Sequence, residues 1–156
     1  MFGNLSPQEI ESVLSTQVVG RIGCHADNTT YVVPINFTYD GEFVYCYTQE
    51  GMKVSLMRKN PQVCFQTDDL TNMANWKSVI LWGNFEELPE GNERREALDK
   101  LVDRIMPMVN SQRVHQSADW PFTNNITDTV KGIVFRIRIT KRTGRFERSG
   151  QSAQVG

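Results

Sequence analysis

The sequence predicts a mainly β domain, an antiparallel barrel with helices at its rim. Three observations lead there. About six segments are strand-like, several alternating with period two, against two or three stretches with helical spacing. No regular strand–helix alternation runs through the 156 residues, so a doubly wound sheet is not expected. Turn chemistry joins consecutive strand segments, as antiparallel neighbours require.

Each element has its own justification. Ser6-Pro7-Gln8-Glu9 is a capping box with proline at the first helical position, and Ile10, Val13 and Leu14 follow as an apolar stripe. Residues 17–25 form a first strand, and Ala26-Asp27-Asn28-Thr29 turns the chain. Residues 31–39 alternate, placing Tyr31, Val33, Ile35, Phe37 and Tyr39 on one face. Asp40-Gly41 suits a two-residue turn with positive φ at its centre, and residues 43–48 return as a strand. A short helix over 52–59 stops before Asn60-Pro61, and a strand covers 63–67. The polar run 68–75 is expected to be an exposed loop. Residues 76–88 make one long strand, with Gly83 marking a bulge or a close backbone approach. Residues 92–106 form an amphipathic helix with Ala97, Leu98, Leu101, Val102 and Ile105 on one face. A long aperiodic segment, 107–128, holds His115 and Trp120-Pro121-Phe122, a candidate lid. The last strand spans 131–146. The domain is expected to cover 1–148, with 149–156 a flexible tail.

Composition narrows the function classes. Seventeen basic and eighteen acidic side chains nearly cancel, so neither nucleic acid nor an acidic membrane is expected as partner. No apolar run is long enough to span a bilayer, and residues 1–7 show no secretory signal. Cys24, Cys46 and Cys64 lie in strands without metal or disulfide spacing, which suits buried thiols in a reducing cytoplasm. No catalytic motif is visible, yet a protein without catalytic residues of its own can act through a cofactor.

One local arrangement suggests an anion. Thr48 ends a strand and Lys53 opens a helix just beyond Gly51. A hydroxyl, an ammonium and free helical N–H groups together could hold a phosphate. The bland alternative is a strand end followed by an ordinary solvated lysine.

The pattern strand-Asp-Gly-strand, then Tyr47-Thr48-x-x-Gly-x-Lys53, then Leu56-x-x-Lys59-Asn60-Pro61-x-Val63-Cys64-Phe65, resembles the pyridoxamine-phosphate-oxidase-like split barrels that bind FMN. Gly20-Arg21-Ile22-Gly23 with Tyr31-Val32-Val33-Pro34-Ile35-Asn36 is similar to the nitroimidazole-resistance (Nim-type) branch. The resemblance implies a six-stranded antiparallel split β-barrel and a homodimer with FMN at the subunit interface. It implies that Val33, Pro34, Ile35 and Asn36 lie along the isoalloxazine ring, partly through backbone groups. Tyr47, Thr48 and Lys53 would hold the ribityl phosphate, with Arg21 a further phosphate candidate unless it pairs with a surface carboxylate. Lys77 and Ser78 would approach the flavin from the second subunit or at the ring edge.

The implied activity is a flavin-dependent oxidoreductase acting on a small molecule, a nitroreductase-like enzyme being one version. The alternatives are a flavin-binding or storage protein without turnover, and a related barrel holding haem or a deazaflavin. The chain departs from the vitamin B6 oxidase itself: Tyr31 and Asn36 stand where that enzyme has basic residues, and Gly144–Arg148 lacks its substrate signature. No catalytic residue is assigned. His25 is the one candidate proton donor, against the alternative of a strand-end histidine with a surface hydrogen bond. The basic residues of 136–148 are expected to balance acidic neighbours or to meet a phosphate.

Overall fold

The computed structural model describes residues 1–111 and 131–150. Ten elements follow in order: β1 (Phe2–Asn4), α1 (Pro7–Thr16), β2 (Val19–Ala26), β3 (Thr29–Tyr39), β4 (Phe43–Thr48), α2 (Met52–Lys59), β5 (Gln62–Asn72), β6 (Asn75–Glu87), α3 (Asn92–Ser111) and β7 (Ile133–Glu147). The strand order is β1-β7-β4-β3-β2-β5-β6, all antiparallel, and β6 pairs again with β7. Six strands therefore close a ring, and β1 adds to the edge of β7. This is the expected split barrel.

The capping box forms as the sequence requires. Ser6 Oγ accepts the Glu9 N–H at 3.2 Å, and the Glu9 carboxylate accepts the Ser6 N–H at 2.9 Å. Ile10, Val13 and Leu14 then bury one face of α1 against the sheet. Across this contact the Tyr39 hydroxyl donates to Glu11 (2.7 Å) and accepts from Arg142 (2.6 Å). Burial and the Glu11 hydrogen bond push the Tyr39 phenol up to about 12.

Inward-facing residues of the ring form the main core. Phe37 and Phe65 meet edge to face there, their centroids 4.8 Å apart. A second cluster seats Ala97, Leu98, Leu101 and Ile105 of α3 on Phe43, Tyr45 and Val134. Gly83 lies at a register shift between β6 and β7, where a Cβ would come 2.3 Å from the Arg138 carbonyl oxygen. The close backbone approach expected at that glycine is present.

Three expectations need correction. Residues 68–75 are not an irregular loop: β5 and β6 continue as a ribbon to Asn72 and Asn75, because a two-stranded extension open to solvent tolerates polar side chains on both faces. The turn after β3 centres on Gly41 and Glu42 rather than Asp40 and Gly41. Asp40 N–H donates to the Phe43 carbonyl, Gly41 supplies the positive φ of 98°, and Asp40 Oδ1 accepts the N–H groups of Glu42 and Phe43. The turn with two positive φ values is Asp27-Asn28. Finally, α3 passes Pro107 and ends at Ser111, so the expected 107–128 loop begins as helix. His115, Trp120 and Phe122 lie outside the described residues, as does 151–156 of the expected tail.

Candidate anion site and the open edge of β3

The short turn between β4 and α2 places Lys53 beside Thr48. Thr48 is buried, and Lys53 Nζ donates to its hydroxyl. Lys53 is half-buried, and desolvation holds its ammonium below the ordinary lysine range. No carboxylate pairs with Lys53 among the described residues. The nearest acid in sequence, Glu50, is engaged by Arg58 through two hydrogen bonds of 2.8 and 3.0 Å. Gly51 stands at the N-cap of α2 and makes no side-chain cap, so the first-turn N–H groups lack that partner. A desolvated cation beside an uncapped helix start favours an anion.

Tyr47 does not join this pair. Alternation along β4 turns Thr48 toward the barrel interior and Tyr47 outward, against the α3 cluster. Its hydroxyl donates to the Lys131 carbonyl and accepts from Gln49 at 3.1 Å.

Strand β3 offers the second feature. It pairs with β2 from Thr29 to Asn36 but with β4 only over Phe37–Tyr39. Phe37 N–H donates to Val18 O at 3.0 Å, so odd-numbered residues of β3 direct their backbone groups to β2. On the opposite edge, Asn36 still faces the end of β4, across from Tyr47, whereas Val32 and Pro34 direct theirs to the same edge beyond it, where no strand lies among the described residues. Pro34, which has no N–H to offer, sits where strand proline is tolerated. The four residues 33–36 therefore divide: Val33 and Ile35 point side chains into the core, while Pro34 and Asn36 face outward.

Arg21, Lys77 and Ser78 lie elsewhere. Arg21 is 3.4 Å from both Asp68 and Gln66, the carboxylate pairing that the sequence left open. Gln66 also donates to Ser78 Oγ at 3.0 Å, so Arg21 and Ser78 share one polar patch on the outer face of the sheet. Lys77 has no ion-pair partner among the described residues and borders a small cleft with Asp69 and Glu147. On β7, Thr48 pairs with Ile133 and Lys77 with Phe146, near opposite ends of that strand. One chain does not bring Lys53 and Lys77 together.

His25 Nδ1 is 2.8 Å from the Thr30 hydroxyl, the strand-end hydrogen bond that was its alternative reading. The C-terminal arginines meet acids: Arg136 and Arg138 share Glu86, Arg142 meets Glu11, and Arg148 meets Glu9. Cys24 and Cys46 are buried, which pushes both thiols up and leaves them poor nucleophiles.

Sequence reasoning missed a groove of about 650 Å³ on the outer face of β3, β2, β5 and β6. It forms only when four strands adopt their register, and no short motif encodes it. No helix of the described residues is long and apolar enough to cross a membrane.

Known proteins share this fold. The family model described as pyridoxamine 5'-phosphate oxidase matches residues 6–146. A curated relative, an uncharacterized protein of Rhizobium meliloti, is 34% identical over 85 residues, or 54% of this chain; the chain spans only 56% of that relative. Among solved structures, an FAD-binding protein of Mesorhizobium loti is 28% identical with a TM-score of 0.75, covering 96% of this chain and 98% of its own. A proposed 5-nitroimidazole antibiotic resistance protein of Bacteroides thetaiotaomicron has a TM-score of 0.68 at 21% identity, covering 94% and 87%, and shares the fold.

Proposed function

Since the chain belongs to the pyridoxamine 5'-phosphate oxidase family, we propose that it is a flavin-binding protein that uses FMN to oxidise or reduce a small molecule. The observation that carries this reading is Lys53, a half-buried ammonium with no carboxylate partner among the described residues, beside Thr48 and the uncapped start of α2. A phosphate monoester supplies what that position lacks. The FAD-binding relative from Mesorhizobium loti supports a flavin. One lysine at the site favours the single phosphate of FMN over a diphosphate.

The remaining residues have definite work in this reading. Thr48 and Lys53 hold the phosphate, and Lys53 neutralises its charge. The open backbone groups of Val32 and Pro34, with the outward side chain of Asn36, meet the polar edge of the ring and orient it. When bound, FMN supplies the two-electron redox chemistry that the chain's own side chains do not. Lys77 and Ser78 complete the site from a second copy, because their own chain keeps them away from Lys53. Val19 and Leu70, exposed on the outer face, provide apolar surface for that homodimer. Three free cysteines suit a cytoplasmic protein.

The test is the visible spectrum of the purified protein, with mass spectrometry of what heat releases. FMN at about one equivalent per chain supports the reading, and FAD instead would correct the cofactor. A colourless protein that takes up neither flavin overturns it. With flavin bound, reoxidation of the photoreduced protein by a panel of small acceptors separates an enzyme from a storage protein.

A further inference from the structure

The groove on the outer face is built by register. Across β3, β2, β5 and β6 one row of outward positions reads Val32, Gly23, Cys64, Trp82. The middle of the row is small and its ends are bulky. Gly23 has no side chain, and a Cβ there would meet Cys64 Sγ at 2.7 Å, so floor and thiol already touch. Val32 and Trp82 are exposed and form two walls. The result is a slot with an apolar floor.

The next row toward the Asp27-Asn28 turn is polar but carries neither a carboxylate nor an ammonium: Thr30, His25, Gln62 and Asn84. The Gln62 and Asn84 amides have no side-chain partner among the described residues. His25 spends Nδ1 on Thr30 and keeps its other ring nitrogen. No Lys, Arg, Asp or Glu lines the groove among the described residues. Lys141 stands 5.0 Å over the Trp82 ring but is not part of the lining. Val19 and Leu70 lie toward the other end of the same face, away from this slot.

We infer that the groove is the seat of a small, flat, uncharged ring compound carrying an amide or similar polar group. The ring would lie on Gly23 and Cys64 between Val32 and Trp82, and its polar group would meet Gln62, Asn84 and His25. An ionised ligand would enter without a counter-charge and lose hydration, which disfavours it. The volume falls within the range of small-molecule pockets. This inference rests on the flavin reading, since it names the class of molecule on which the flavin protein acts.

The experiment is calorimetric titration of the flavin-loaded protein with naphthamide and with naphthoate, one ring in neutral and anionic forms. Naphthamide should bind at least about tenfold more tightly. Trp82→Ala should weaken naphthamide about tenfold, and Gln62→Lys should move the preference toward naphthoate. Neither variant should change flavin content, read by absorbance. Equal binding of the two probes, or indifference of naphthamide to Trp82→Ala, overturns the inference. Flavin loss in Trp82→Ala overturns it too, because the slot would then hold the cofactor's own ring. Lys53→Ala separates the two readings: it should release flavin and leave naphthamide binding in place. Flavin retained in Lys53→Ala would count against the phosphate site while leaving the slot intact.

Discussion

Lys53 donates to the hydroxyl of Thr48 across the turn joining β4 to α2, and no described acid answers its charge. The pair rests on the barrel core, since Val54, Leu56 and Met57 of the same helix are buried. Removing the ammonium should therefore spare the fold and cost ligand. Lys53→Ala should weaken FMN binding by about 1.5–3 kcal/mol, the worth of a charge-assisted hydrogen bond. Fluorescence titration with FMN measures this, and an unchanged Kd would contradict the phosphate role.

Glu86 holds Arg136 at 2.8 Å and Arg138 at 3.0 Å, and both guanidinium groups stack on Phe43. Burial pushes the Glu86 carboxyl up, but Arg138 and Arg136 outweigh it and hold the group below its ordinary 4.5. A depressed folded-state value stabilises above the unfolded value and loses that contribution as pH falls through the folded one. Glu86→Gln should thus cost about 0.5–1 kcal/mol at neutral pH, a modest figure because the pair is partly exposed. The gap from the parent should close in acid below about pH 4. Denaturant titrations at both pH values check it.

Gly83 permits the β6–β7 closure of the ring. An added methyl meets the Arg138 carbonyl, a backbone atom that cannot rotate aside. Gly83→Ala should destabilise by about 1–3 kcal/mol, with a lower melting temperature and an unchanged flavin stoichiometry in the surviving fold. A melting temperature equal to the parent's would show that β7 yields.

For the proposed dimer, the exposed Val19 and Leu70 are the sites to charge. Val19→Glu should shift sedimentation equilibrium from dimer to monomer and reduce flavin retention along with it. A monomer that keeps full flavin affinity would show that the second copy contributes nothing to the site.

The elements legible in the sequence were those with local causes. Ser6 and Glu9 announce α1 within four residues, and Gly83 marks the bulge because only a missing Cβ fits there. Thr48 and Lys53 were legible as neighbours because they stand only five positions apart. β1 was not: Phe2–Asn4 becomes a strand only by pairing with Arg145–Glu147 at the far end of the chain. The period-two pattern already divides the side chains of Val33–Asn36; which of them turn backbone groups away from β2 needed the hydrogen-bond phase of β3. The resemblance groups Tyr47 with Thr48 and Lys53, and strand alternation turns its side chain to the other face. The slot between Val32 and Trp82 required knowing that β2 lies between β3 and β5, a fact of topology rather than of any segment.

The open edge of β3 has a consequence for how the cell handles the protein before any ligand arrives. A row of backbone groups with no strand beside it among the described residues is a template on which another extended chain can add, the first step toward aggregation. Pro34 interrupts that row of donors in the middle, where an incoming strand would need one. Pro34→Thr should leave the barrel folded yet raise light scattering of the ligand-free protein on storage, and added FMN should suppress it. The same residue then both leaves room for a ligand and guards the newly made chain while it waits for one.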